Sequence, residues 1–216
     1  MKEKLNIALS NIKLNYIYHN IKNIKNINIL ELGVREGIST SLFLKVCDTN
    51  NGSLISVDID DCSSLFNNDR WKFIKSRDDN FQLIDKELNN LNKLDVVYID
   101  SLHEPNHVKK ILFYYYEILS VGGMIFIDDI SWLPYVKSAY RENSWNEDIN
   151  FNTFQKLLEI KVNNFENINI EFSFEESGTA KITKKNSNKL NEPKKIIKSN
   201  SFKSFIRKLY TRSPKK

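Results

Sequence analysis

Between residues 27 and 130 the chain carries five short apolar runs, most of them separated by helix-length segments, and few folds accept that pattern. The runs are INILEL (27–32), SLISVDI (53–59), WKFIK (71–75), DVVYID (95–100) and MIFIDDI (124–130). Between them, GISTSLFLKVC (37–47), NFQLIDKELNNL (80–91) and HVKKILFYYYEILS (107–120) read as helices, the last closed by Gly122 and Gly123. Strands this apolar, joined by helices, predict a doubly wound, mostly parallel sheet covered on both faces. Upstream, Leu5, Ala8, Leu9, Ile12 and Tyr16 share one helical stripe, so a single leading helix is expected within 5–25. Downstream, a helix is expected near 151–163. NINIEFSF (167–174) and GTAKITKK (178–185) then alternate around turn residues and predict a terminal antiparallel hairpin.

Charge divides the chain at about residue 185. Eleven Lys/Arg and one acid, Glu192, lie in 185–216, whereas residues 1–184 carry a net charge of −5. We therefore expect one folded domain over 1–185 and a basic, polar, flexible tail over 186–216. Within the tail, Phe202, Phe205, Ile206 and Leu209 fall on one face of a short amphipathic helix. Such a tail suits an anionic surface, or serves as a solubilising extension or as a helix docked on the acidic body. No run approaches the ~20 apolar residues of a spanning helix, and no secretory signal is legible. Cys47 and Cys62 do not suggest a disulfide framework, so a reducing cytoplasm is expected.

The stretch ILELGVREGIST (29–40) passes from strand to helix through Gly33 and Gly37, with Glu31 near the strand end. Ligands of doubly wound sheets sit at such turns. A nicotinamide cofactor is disfavoured, because the glycine that lets backbone approach a pyrophosphate is replaced by Arg35. A carboxylate here suits a cationic ligand without phosphates. With its E-x-G-x-x-x-G spacing, the stretch resembles motif I of the seven-strand, Rossmann-like S-adenosylmethionine (SAM)-dependent methyltransferases. The resemblance spans about 27–184 and is strongest for O-methyltransferases of the catechol and macrocin types. It implies that Gly33 and Gly37 shape the SAM loop, that Glu31 serves SAM, and that Ser39 reaches the methionine carboxylate. It further implies that Asp58, ending SLISVD, binds the ribose hydroxyls and that Ser76, Arg77 and Asp78 lie in the adenine loop.

YIDSLH and FIDDI bring Asp100, Asp128 and Asp129 to adjacent strand ends. Unpaired carboxylates repel one another there, and a hard divalent cation such as Mg²⁺ relieves that conflict. The resemblance implies that these three are metal ligands and that His103, three residues beyond Asp100, is the general base. Histidine exchanges protons near neutral pH, which suits activation of a hydroxyl. The competing readings keep these acids as caps or SAM contacts and His103 as a loop-packing residue. His107 is read as starting the next helix. Trp132, Tyr135 and Trp145 either wall an acceptor pocket or pack in the core. The expected activity is SAM-dependent O-methylation of a small hydroxylated molecule, such as a sugar, with nucleic acid not expected as substrate. The alternatives are a metal-independent methyltransferase, or a non-catalytic SAM-fold module tethered by its tail.

Overall fold

The computed structural model describes residues 1–91, 93–136 and 144–196. The amphipathic face predicted at 202–209 lies outside the described residues. Seven strands form one sheet in the order β3-β2-β1-β4-β5-β7-β6. Strands β1 (Asn28–Leu32), β2 (Ser53–Asp58), β3 (Trp71–Lys75), β4 (Leu94–Ile99) and β5 (Leu119–Asp128) pair in parallel. β7 (Thr179–Lys184) runs antiparallel to both β5 and β6 (Ile168–Ser173), so six strands share one direction and β7 opposes them. The expected fold, including its terminal hairpin, is what the chain adopts.

Both faces are covered, which explains why every side chain of β4 is buried. On one face, α1 (Lys2–Ser10), α2 (Ile12–Ile21) and α3 (Ile38–Asn50) enclose Ile17, Ile29, Phe43, Val96 and Phe126. On the other, α4 (Phe81–Leu88), α5 (Pro105–Ile118) and α6 (Ser144–Asn163) enclose Leu30, Val97, Ile111, Tyr115 and Ile127. Strand order reverses between β1 and β4, and the chain there is pressed together. Asp100 N–H donates to Leu32 O at 2.8 Å, and a Cβ on Gly33 would lie 2.0 Å from Asp100 O. Gly33 also holds φ +100°, a conformation L-residues avoid. The glycine thus lets two strand ends converge where the fold opens a crevice.

Two elements depart from the periodicity. The single leading helix is two, broken at Asn11, whose extended backbone and side chain cap α2 by accepting from Leu14 N–H at 2.9 Å. Gly122 and Gly123 do not follow a helix end directly. α5 stops at Ile118, β5 begins at Leu119, and both glycines lie inside that strand next to a register shift against β4. After β7 the chain forms no further helix or strand through residue 196, yet it stays hydrogen-bonded to the body. Asn164 Nδ2 donates to Asn191 O at 3.0 Å, Asn191 N–H donates back to Asn164 Oδ1 at 2.7 Å, and Leu190 packs against the core. No described helix is long and apolar enough to cross a membrane. Cys47 and Cys62 are both buried and free.

Candidate active site

The carboxyl ends of β1 to β4 surround a cavity of about 630 Å³. Gly33, Val34, Arg35, Asp58, Asp60, Ser76, Arg77, Asp78, His103, His107 and Asp129 are among its lining residues, and Asp100 stands at its inner edge. A smaller cavity of about 350 Å³ shares Val34, Arg35 and Asp100, and adds Asn11, Lys13, Ser39, Tyr98 and Asp128. Residues expected to act together are therefore brought together, with the exceptions of Glu31 and Gly37.

Asp58 fixes the glycine loop. Its carboxylate accepts from Val34 N–H at 2.7 Å, Arg35 N–H at 3.0 Å and Asp60 N–H at 3.0 Å. Partial burial pushes its pKa up, but the backbone donors of Arg35, Asp60 and Val34 outweigh that and hold it below the usual carboxylate range. Opposite, Asp78 accepts from Ser101 Oγ at 2.5 Å and lies 2.7 Å from His107 Nε2. Those contacts outweigh burial and lower the pKa of Asp78. His107, read from sequence as a helix start, does lie in the first turn of α5 and also locks the loop after β3 to that helix. Arg77 lines the cavity with its guanidinium paired to Asp79 at 2.9 Å.

Glu31, expected to serve SAM, lines neither cavity. It is fully buried and accepts from Ser39 Oγ at 2.6 Å, Thr40 Oγ1 at 2.8 Å and Ser56 Oγ at 2.6 Å. Burial dominates these three donors and pushes its pKa to about 7. The hydroxyl of Ser39 is therefore committed to Glu31. Gly37, at φ +74°, starts α3 without a side-chain cap, so the first N–H groups of that helix remain for an anion.

The three strand-end acids meet as expected but are not open to a metal as a set. Lys13, carried in by α2, donates to Asp128 Oδ1 at 2.7 Å, Asp128 Oδ2 at 2.9 Å and Ser177 Oγ at 2.6 Å, and stands 3.7 Å from Asp129. Asp128 also accepts from Asp129 N–H at 2.9 Å and from Tyr98 OH at 3.2 Å. Both of its oxygens are thus in use. Among the described residues no group of three His, Cys, Asp or Glu side chains has metal-holding geometry. The expected ligand set of Asp100, Asp128 and Asp129 does not fit, because an ammonium already bridges two of its members. Burial would lower the pKa of Lys13, but Asp128, Asp129 and Asp100 more than offset it and raise the value. Burial and the charges of Asp128 and Asp129 push Asp100 well above the usual carboxylate range.

His103 stands over this edge with Nε2 3.6 Å from Asp100 Oδ1 and 3.5 Å from Asp129 Oδ2. Thr153 of α6 donates to its carbonyl at 2.8 Å and holds the loop. Its Nδ1 is buried without a partner, so Nε2 is the nitrogen directed toward the acids. Neither Trp132 nor Trp145 borders the two cavities. Trp132 packs edge-on against Phe151 and Phe174, and Trp145 is 74% exposed. Tyr135 lies near the acids, since burial and the Asp129 charge raise its phenol. Lys13 and Tyr98 are the site members that sequence reasoning missed. Tyr98 carried a usable signal, a polar aromatic two residues before Asp100 on a buried strand, whereas Lys13 carried none.

Residues 30–130 match the family described as a methyltransferase domain. The fold is the one found in structures of SAM-dependent methyltransferases. The MycE methyltransferase of the mycinamycin biosynthetic pathway, solved with Mg and SAH, aligns at TM-score 0.58 and 16% identity over 83% of this chain and 51% of its own. The chain thus spans about half the length of MycE. The Podospora anserina methyltransferase PaMTH1, solved with SAH, aligns at TM-score 0.63 and 15% identity over 85% of this chain and 87% of its own. A Staphylococcus aureus protein provisionally assigned as a caffeoyl-CoA O-methyltransferase aligns at TM-score 0.56 and 18% identity over 81% and 84%. Among curated proteins, none matches the sequence.

Proposed function

We propose that the protein is a SAM-dependent methyltransferase that methylates a hydroxyl of a small molecule, with His103 as the base. The observation that carries this reading is the meeting of the Gly33 loop, Asp58, and the Asp100–His103 loop around one cavity of about 630 Å³, a size that suits a small-molecule cofactor. SAM, when bound, supplies a methyl group on a cationic sulfur.

The chain's own groups divide the remaining work. Asp58 keeps acceptor capacity for ribose hydroxyls while it fixes the loop. The uncapped start of α3 and the smaller cavity beside it offer N–H groups for a carboxylate. The acidic edge, only partly offset by Lys13, has the negative potential that suits a cationic centre. A hydroxyl at the Asp100–Asp129 side of the larger cavity would find His103 Nε2 there, and that nitrogen can take its proton. Asp129, 3.5 Å from Nε2, then stabilises the imidazolium. The Mg in the MycE structure supports a metal-dependent variant of this reading. The grip of Lys13 on Asp128 supports the metal-independent one, which we adopt.

Calorimetry with SAH tests the cofactor assignment. The folded protein should bind it, and Asp58→Ala should weaken binding by roughly 1–3 kcal/mol. No detectable binding by the folded protein ends the proposal. Labelled SAM offered with sugar and phenol acceptors tests the chemistry. His103→Ala should retain SAH affinity and lose roughly 10²–10⁴-fold in turnover.

A further inference from the structure

We infer that Lys13 is the resident cation of the carboxylate cluster, filling from α2 the position that would otherwise demand a divalent metal. The inference deepens the proposed methyltransferase reading of the same site and rests on it.

The argument is one of geometry and charge. Three carboxylates, Asp100, Asp128 and Asp129, sit where β4 and β5 end, and Asp128 is 6% exposed. A buried acid cluster of this kind needs a compensating positive charge. Lys13 provides it with a side chain only 11% exposed, centred on both oxygens of Asp128 and within 4 Å of Asp129. Ser177 Oγ accepts the same ammonium at 2.6 Å. An ammonium has three N–H donors, and two carboxylate oxygens and a hydroxyl take them up. The contact also joins distant parts of the chain: α2 at the start, the end of β5, and the turn before β7. Asn11 reinforces the approach, since it caps α2 two residues earlier and its Nδ2 donates to Glu176 Oε2 at 3.1 Å.

The inference has a direct consequence. With Lys13 in place, a divalent cation must displace an ammonium that holds both oxygens of Asp128. Without it, Asp100, Asp128 and Asp129 are left as an uncompensated oxygen cluster of the kind that Mg²⁺ or Mn²⁺ binds. Lys13 therefore acts as a positioning residue. It holds Asp128, and with it the end of β5, in place beside the Asp129–His103 pair.

Mn²⁺ titration followed by electron paramagnetic resonance tests this on the whole chain, its Lys13→Met, Lys13→Arg and Asp128→Asn variants, and the Lys13→Met/Asp128→Asn double variant. SAH binding serves as the check on folding for each. The wild-type protein should leave the free Mn²⁺ signal unchanged, Lys13→Met should capture one equivalent, and the double variant should lose that capture. Lys13→Arg, which keeps the charge, should behave as wild type. Capture of one equivalent by the wild-type protein, lost in Asp128→Asn, overturns the inference. So does a Lys13→Met variant that binds SAH yet captures no more Mn²⁺ than wild type. Should Lys13→Met fail the SAH check, wild type and Asp128→Asn decide alone: silence in wild type upholds the inference, and capture that Asp128→Asn abolishes overturns it. Wild-type SAH binding separates the two levels, because its absence ends the methyltransferase reading, whereas Mn²⁺ capture with SAH binding intact ends only this one.

Discussion

Glu31 illustrates how strongly one residue's surroundings can shift its chemistry. A strand-end acid near a glycine loop reads as a ligand group, but here Ser39, Thr40 and Ser56 enclose it. Its pKa rises from 4.5 to about 7 on folding. A raised carboxylate favours the folded state fully below its unfolded value and loses that contribution as pH rises through the folded one. Stability should therefore fall by roughly 2–3 kcal/mol between pH 5 and pH 8 from this residue alone. Urea unfolding across that range should show the decline, and Glu31→Gln should make it shallower. Asp100 is shifted in the same direction, so some slope should survive. An unaltered slope in Glu31→Gln would show that the hydroxyl cage keeps Glu31 ionised. Asp58, Asp100 and His103 were legible because residues at the ends of apolar runs necessarily reach the crevice. Lys13 was not, because its partner Asp128 is 115 residues away and nothing local marks it.

At the scale of elements, the strands were legible and the break in the leading helix was not. Apolar runs bounded by turns identify buried strands whatever surrounds them. A helical stripe at Leu5, Ala8, Leu9, Ile12 and Tyr16, by contrast, does not register the change of direction at Asn11, which leaves Ile12 exposed while α2 buries Leu14, Ile17 and Ile21. The local clue was the asparagine itself, a favoured N-cap. Asn11→Ala removes the bond to Leu14 N–H, and the protein should lose about 1 kcal/mol of stability. The same substitution frees the start of α2, so Lys13 should hold Asp128 less firmly. Mn²⁺ capture by Asn11→Ala should then lie between that of wild type and Lys13→Met. Chemical denaturation gives the first quantity, and the second follows from the same resonance titration. A stability loss with no gain in Mn²⁺ capture would show that Lys13 is held by its carboxylates rather than by the helix.

For the whole molecule, the topological switch places β1 and β4 at the centre of the sheet, so the site lies where the most strands support it. β6 forms one edge of the sheet, and residues 186–196, which form no strand, bond to the segment between α6 and β6. Composition divides the chain near residue 185, but hydrogen bonding does not. Besides the paired bonds between Asn164 and Asn191, Asn167 Nδ2 donates to Lys189 O at 3.2 Å and Asn186 Nδ2 donates to Glu166 O at 3.1 Å. Asn164 and Asn167 are themselves buried, at 2% and 6% exposure. A chain cut at 185 would strip partners from buried amides, each costing about 1–3 kcal/mol. A polar, lysine-rich composition suggested a tail that contributes nothing, because composition does not reveal asparagines pairing across 27 residues. A chain ending at residue 185 should therefore melt several degrees below one ending at residue 196, since 1 kcal/mol moves the midpoint of a domain this size by about 2–4 °C. Equal midpoints for the two truncations would mean that water replaces the asparagine contacts at no cost, and the folded unit would then end with β7.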